Sequence, residues 1–433
     1  MILSPNSVFA DYISHILPEL GEENIREMSF DLYAYKQLKD TVYDCEDRYD
    51  QIEKTIKHPK KQGYYKEKQS EAFINQLEGF ILMLEDELMR FKDVSYHGYV
   101  LPEEKIIDLF YYKFLDIPLL SRMEAVAEYF IDEIETLRGR DLPEEERVLL
   151  MEKFMNLYET RDFYVLYNKF LKEEGYKELP KVAYEKRVLP YEDVYPLLYL
   201  KYRLVRQKDD RTIKHLVVDE MQDYSPLQYK ILQMIFKCRM TILGDRAQTM
   251  EEENQDVTTF LPKIFGKDLN TIVMNKSYRN TVEIAEYANR IANISDIEIF
   301  ERHGKPVEEK QKESVEAVLD ETLMMLNLGE DAYETAAVIC RTEDEAYEAY
   351  RYLKDKLEEK GFDTEKKLSY MDRNSSSFKK GLTVTTFYLA KGLEFDQVFS
   401  VFPKKAVSSL EKQARYIAAT RALHELYMYD YLV

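Results

Sequence analysis

Leu216-Val217-Val218-Asp219-Glu220-Met221-Gln222-Asp223, followed by Tyr224-Ser225-Pro226 and then by Met240-Thr241-Ile242-Leu243-Gly244-Asp245-Arg246-Ala247-Gln248, is the stretch that decides the fold. Twice, a short apolar, β-branched run ends abruptly in carboxylates. Buried parallel strands have this composition, and open α/β sheets carry their chemistry at the carboxyl edge of such strands. Asp219 and Glu220 are adjacent, so on an extended backbone their side chains point to opposite sides. One carboxylate then faces a Mg²⁺ ion while its neighbour orients a water, the division of labour that phosphoryl transfer needs. A lone Asp-Glu pair after an apolar run is more often a helix cap. The second strand, ending in Gly244-Asp245 with Gln248 three residues on, shifts the balance away from a simple cap.

Working outward, 433 residues are enough for two or three domains with real cores. No apolar run is long enough to span a bilayer, and Met1-Ile2-Leu3-Ser4-Pro5-Asn6 has no basic region followed by an apolar segment, so neither membrane insertion nor a signal peptide is expected. Cys45, Cys238 and Cys340 are far apart and odd in number, which argues against a disulfide framework or a Cys-x-x-Cys metal site and fits a reducing cytoplasm. The six histidines form no ligand constellation, leaving Mg²⁺ as the one metal expected. A formal net charge of −20 limits nucleic-acid binding to a local basic groove, and it suits docking on a basic partner surface.

In chain order, Ile2 to Tyr12 reads as a strand turning through Ser4-Pro5-Asn6 into a helix. From about residue 21 to 190 the composition becomes helical, charged and tyrosine-rich. Phe73, Leu77, Phe80, Ile81, Leu84, Leu88 and Phe91 form one stripe at helical spacing; Met123, Ala127, Phe130, Ile134 and Leu137 form another, opened by Ser121 and Glu124 in a capping-box pattern. His58 to Lys66 interleaves basic residues with tyrosines, a composition found in single-strand binders but more often that of an exposed hairpin tip, which is the reading expected here. Tyr191 to Leu200 is expected as an amphipathic helix leading into the Asp219 strand. Beyond residue 266 come an expected strand, Thr271-Ile272-Val273-Met274, running into Lys276-Ser277-Tyr278-Arg279-Asn280-Thr281, and another at Ala336-Ala337-Val338-Ile339-Cys340.

Thr383-Val384-Thr385-Thr386-Phe387-Tyr388-Leu389-Ala390-Lys391-Gly392-Leu393-Glu394-Phe395-Asp396 and Tyr416-Ile417-Ala418-Ala419-Thr420-Arg421-Ala422 complete a series. Together with the two carboxylate strands, the Ser-Pro-Asn turn and Ser277-Tyr278-Arg279-Asn280-Thr281, they resemble, in order, motifs Ia, II, III, IV, V and VI of superfamily-one helicases of the UvrD/Rep type. The Tyr388–Asp396 run, the Asp223-Tyr224-Ser225-Pro226 tail and Thr420-Arg421-Ala422-Leu423-His424-Glu425-Leu426-Tyr427 are similar to the HelD-like (helicase IV) group. The resemblance implies an α/β fold of two RecA-like P-loop-NTPase-type domains: the first from residues 1–20 and 191–266, incomplete and interrupted by a helical insertion at 21–190, the second from 267–433. It implies ATP and Mg²⁺ as ligands, with Asp219 on the metal, Glu220 orienting water, Gln248 sensing the γ-phosphate, and Arg279 and Arg421 as arginine fingers. Asp245, Gly392 and Glu394 address the nucleotide. RNA polymerase and single-stranded DNA are the partners the family implies.

Two departures stand against that pattern. No Gly-x-x-x-x-Gly-Lys-Ser/Thr occurs in the sequence, so the backbone cradle and lysine that hold β- and γ-phosphates are missing from it. A fragment, a protein completed by a second chain, and a degenerate paralogue acting as a non-catalytic binding module all remain open. The strand that leads into a P-loop is central in RecA-like sheets, so its absence is expected to leave backbone groups exposed beside the Asp219 strand. Secondly, Thr249-Met250-Glu251-Glu252-Glu253 follows Gln248 and the chain has no tryptophan, so carboxylates stand where the family places a base-stacking aromatic.

Without the cradle, the arginine fingers have no fixed phosphate to act on, and the purified chain is expected not to turn over ATP. Steady phosphate release that Glu220→Gln abolishes would contradict this.

Overall fold

A computed structural model describes residues 1–4, 26–58, 63–206, 212–245, 257–294, 297–328, 332–361, 363–375, 379–404 and 409–432. It is a mixed α/β protein built on two parallel sheets. The first holds β1 (Ile2–Leu3), β2 (Glu27–Met28), β3 (His215–Val218) and β4 (Arg239–Ile242) in the order β2-β1-β3-β4. Leu3, Val218 and Ile242 are in register, so the three strands end at one edge, which places Ser4, Asp219 and Leu243 side by side.

The second sheet holds β5 (Glu308–Lys312), β6 (Thr335–Cys340), β7 (Leu368–Tyr370), β8 (Gly381–Thr386), β9 (Phe395–Pro403) and β10 (Ala422–Tyr431) in the order β5-β10-β9-β6-β8-β7. Successive residues of β6 serve different cores: Ala337 and Ile339 join a cluster with Ile284, Leu393 and Ile417, whereas Ala336, Val338 and Cys340 join one with Leu319, Leu353 and Leu382. A strand covered on both faces must be apolar at every position, and that is why the β6 run reads as continuous.

Between β2 and β3 the chain forms a helical region whose neck is closed by a short parallel pairing of Asp44–Cys45 with Val188–Leu189. Its helices include Arg48–Lys57, Glu71–Glu87, Leu119–Arg138, Glu144–Met155 and Phe163–Glu173. Glu144–Met155 carries three glutamates in its first turn, where they oppose the helix dipole. Among the described residues, no helix is long and apolar enough to cross a membrane.

Several expectations change. The helical region does not begin at residue 21, because Glu27–Met28 pairs with β1 inside the first sheet. Tyr191–Leu204 is helical but not amphipathic: Val194, Tyr195, Leu197, Leu198 and Tyr199 are all buried, since neighbours surround the helix along most of its length. The Leu119–Arg138 helix starts two residues before Ser121, and the Ser121 hydroxyl instead accepts from the Arg206 N–H at 3.0 Å. Gly63–Lys68 is a helical turn rather than part of a hairpin tip. Thr271–Met274 forms no strand. Ile272, Val273 and Met274 lie 80–88% exposed, and pairing starts only at Lys276–Ser277, against Glu298–Ile299. Nor is backbone exposed beside β3. Asp219 N–H donates to Leu3 O at 3.1 Å and Leu243 N–H to Val218 O at 2.8 Å, so both edges are paired.

Gly244 lets the ends of β3 and β4 approach. A Cβ there would penetrate the Met221 side chain and lie 2.7 Å from the Met221 nitrogen, which itself donates to Leu243 O at 2.8 Å. Gly244→Ala should therefore lower stability by about 1–3 kcal/mol, read as a shift of the urea midpoint, through forced separation of these loops. An unchanged midpoint would contradict it.

Candidate active site

The first sheet's carboxyl edge delivers its acids through one sharp turn. After Asp219 the chain enters the left-handed region at Glu220 (φ 52°, ψ 53°), then makes a single 3₁₀ turn over Met221–Asp223. Ser225 caps the following helix, Pro226–Ile235, in a capping box with Gln228. A non-glycine residue held at positive φ costs about 1–3 kcal/mol and persists only where its surroundings fix it. Here the Met221 N–H to Leu243 bond and the Tyr229 hydroxyl, donating to Met221 O at 3.0 Å, do the fixing. Strand alternation therefore does not separate Asp219 from Glu220, because Glu220 has already left the strand. Its carboxylate accepts from the Gln222 amide, whose oxygen in turn accepts from Asp245 N–H at 3.2 Å. Gln222 so ties the β3 loop to the β4 loop.

Loops of the second sheet face these groups. Lys391 Nζ lies 2.5 Å from Asp223 Oδ1, and Gly392 beside it takes φ 81° in the tight turn that presents the lysine. Arg279 pairs with Glu394 at 2.6 Å, and its carbonyl accepts from Arg302, which also donates to Leu423 O at 3.1 Å. The Tyr416 hydroxyl donates to Asp245 Oδ2 at 3.1 Å. Arg421 is buried, donating to Leu393 O at 3.4 Å and Thr420 Oγ1 at 3.2 Å. Asn280 clamps the same turn through Ala422 O at 2.6 Å. Seven of the eight expected site residues, Asp219, Glu220, Asp245, Arg279, Gly392, Glu394 and Arg421, thus border one cleft. Gln248 lies outside the described residues, as do the Pro5-Asn6 turn and Glu251–Glu253.

The electrostatics follow from burial. Burial raises the pKa of Asp219, opposed by the Glu220 N–H and by Arg279; burial likewise raises that of Glu220, opposed by Lys391 and Arg421. For Asp223 burial would also raise it, but Arg48 at 2.8 Å and Lys391 overcome that and hold the carboxyl at about 2. Arg421 moves the other way: burial lowers its pKa, while Glu220 counteracts. Hard carboxylate oxygens crowded by like charge fit a divalent cation at Asp219. Among the described residues no three His, Cys, Asp or Glu side chains form a ready metal set, so such an ion would complete its shell with water or phosphate oxygens.

Sequence reasoning missed Arg48, Tyr416 and the bridging role of Gln222, and it placed no weight on Asp223 and Lys391 beyond their motifs. Asp223 and Lys391 were findable, as opposite charges inside two matched motifs. Arg48 carried no local signal.

The UvrD/REP helicase N-terminal domain pattern matches residues 16–250, more than half of the chain. The chain belongs to the UvrD/REP helicase family. It is 27% identical over 198 residues to the ATP-dependent DNA helicase Rep of Buchnera aphidicola, covering 42% of this chain and 28% of that protein. It is 21% identical over 244 residues to a mimivirus protein described as a candidate ATP-dependent DNA helicase, covering 51% of this chain and 35% of the other. The chain so spans well under half the length of the curated relatives it matches. A crystal structure of the C-terminal domain of a possible DNA helicase from a Lactobacillus covers 36% of this chain and 88% of its own, with 25% identity and a TM-score of 0.29.

Glu27, on β2, borders this UvrD/REP cleft. Burial raises its pKa to about 7, the Ser4 hydrogen bond opposing and the Asp219 charge reinforcing the rise. A folded pKa above the unfolded value means that the folded state binds the proton more tightly. Glu27 thus contributes stability in full below the ordinary value of 4.5, and that contribution is lost as pH rises through about 7. In metal-free buffer, the melting temperature of Glu27→Gln should gain on the parent chain steadily from pH 4.5 to 7.5. A constant difference across that range would contradict the assignment.

Proposed function

We propose that this chain is the motor part of an ATP-dependent DNA helicase or translocase of the HelD-like group, with its nucleotide cleft between two RecA-like domains and the helical region inserted into the first. The observation that carries the reading is the convergence of Asp219 and Glu220 from one sheet edge on Arg279, Lys391 and Arg421 from the loops of the other. In this reading Asp219 holds Mg²⁺, which supplies charge neutralisation at phosphate oxygens. Glu220, kept in place by Gln222, orients the attacking water; Gln248 senses the γ-phosphate. Arg279 and Arg421 stabilise developing charge, while Asp245, Gly392 and Glu394 take the rest of the nucleotide. The β,γ-phosphate cradle is not among these residues, so the chain is inactive alone and becomes active when a P-loop segment is supplied.

A second reading, a non-catalytic helicase-like binding module, is favoured by one observation. Two of the three cleft cations are already matched by the cleft's own carboxylates, Lys391 by Asp223 and Arg279 by Glu394.

The proposed partner is RNA polymerase, with single-stranded DNA second. The net charge of −20 opposes sequence-independent phosphate binding and suits a basic protein surface. The tyrosines add less than their number promises, since Tyr158, Tyr164, Tyr167, Tyr195 and Tyr199 are buried in the chain's own core. Tyr43, Tyr112 and Tyr184 stay exposed on the helical region. The chain should bind core polymerase more tightly than single-stranded DNA at 0.15 M salt, read by fluorescence anisotropy, and Tyr112→Ala with Tyr184→Ala should weaken that binding about tenfold. Tight, steeply salt-dependent DNA binding without polymerase affinity would return the reading to an ordinary DNA translocase.

A further inference from the structure

We propose that the Arg48–Lys57 helix is an interdomain strap, through which movement of the helical region opens or closes the acidic loop at residues 219–223. The proposal goes beyond the functional reading above and does not require that the cleft hydrolyse anything.

The helix has two attachments of different character. Its first residue belongs to the first sheet's loop: Arg48 lies 2.8 Å from Asp223 Oδ2, on the carboxylate whose other oxygen meets Lys391. The remainder belongs to the second sheet. Tyr49, Ile52 and Ile56 pack against that sheet's core, and the Tyr49 ring stacks on Tyr388 with centroids 5.6 Å apart. Asp50 pairs with Arg373 at 2.6 Å. Glu53 is buried and accepts from the Tyr388 hydroxyl at 2.6 Å and from the Glu343 N–H at 2.9 Å, while Lys57 reaches Asp344 at 2.9 Å. Arg373 also holds Glu343 at 2.8 Å, so these contacts form one network.

The start of the helix is fixed as well. Asp47 and Asp50 form a reciprocal capping box, and Glu46 N–H donates to Leu189 O at 2.8 Å at the neck of the helical region. The neck, the strap and Asp223 are therefore joined by short, directional contacts with no flexible linker between them. Asp223 makes the joint cooperative. A buried carboxylate between two cations is stable, but removing one cation leaves charge that burial penalises, so the loop and both domains shift together. A partner that displaces the helical region would pull at the neck and withdraw Arg48. The short turn Met221–Asp223 would loosen, and with it the Met221 N–H to Leu243 O bond that keeps Glu220 at positive φ.

Hydrogen exchange on the whole chain tests this at a distance from the substitution. Glu53→Ala cuts the strap at its second-sheet end, away from Asp223. Peptides covering residues 219–224 should then exchange about tenfold faster, and Tyr388→Phe, which keeps the ring and removes the hydroxyl, should give a smaller rise there. Arg203→Ala, which breaks an exposed pair with Glu78 in the helical region, should leave residues 219–224 unchanged. If faster exchange stays within 48–57 and 386–391, the helix is packing alone and the proposal is wrong. An equal rise in Arg203→Ala overturns it too. Should Glu53→Ala raise exchange throughout the chain, Tyr388→Phe decides: no change at 219–224 overturns the proposal.

Discussion

One carboxylate, Asp223, ties three parts of this structure together. It is nearly inaccessible, it belongs to the first sheet, and its two oxygens are taken by Lys391 from the second sheet and Arg48 from the neck of the helical region. Burying a charge costs several kcal/mol unless its partners are well placed, and a single cation rarely suffices. With two, the acid stays ionised under all ordinary conditions. The three parts of the chain meet there, one short turn away from Asp219 and Glu220.

The second sheet was legible because parallel strands with both faces covered leave no room for polar residues. In the first sheet β3 is only half-buried and β4 has no buried residue, so those strands announced themselves by β-branched composition alone. Val217-Val218 and Ala336-Ala337-Val338-Ile339-Cys340 could be little else. The carboxylates at their ends were legible for the converse reason: acids placed directly after apolar runs need a ligand, a cap or a cation. The helical stripes were plain from spacing and are buried over residues 73–84 and 123–134, but Leu137 is exposed and Phe91 lies beyond the end of its helix.

What the sequence hid depends on contacts from afar. Thr271–Met274 has the composition of a strand, yet strands exist only in pairs, and no local pattern reports a missing neighbour. Ser121 offered capping chemistry, but packing extended its helix past it. Glu27-Met28 is too short to announce itself as part of a sheet. Nothing local marks Glu220 as leaving the strand direction of Val217-Val218, and the left-handed turn is forced by the docking of Met221 on Leu243 and Tyr229. Arg48 is one arginine among many until the fold brings it to Asp223.

The pairing of β1 with β3 bears on the order in which the molecule is made. The Met1 nitrogen donates to the carbonyl of His215, 214 residues further on, and Ile2 and Leu3 pair with Val217 and Val218. During synthesis β1 precedes β3 by more than two hundred residues, so its β2 edge can pair early while its β3 edge waits. The helical region, rich in near-neighbour contacts, can condense during that interval, and the neck at Asp44–Cys45 and Val188–Leu189 then holds the two halves of the sheet close enough to join. The helical region is thus also the template that shortens the search for the sheet on which the acids stand.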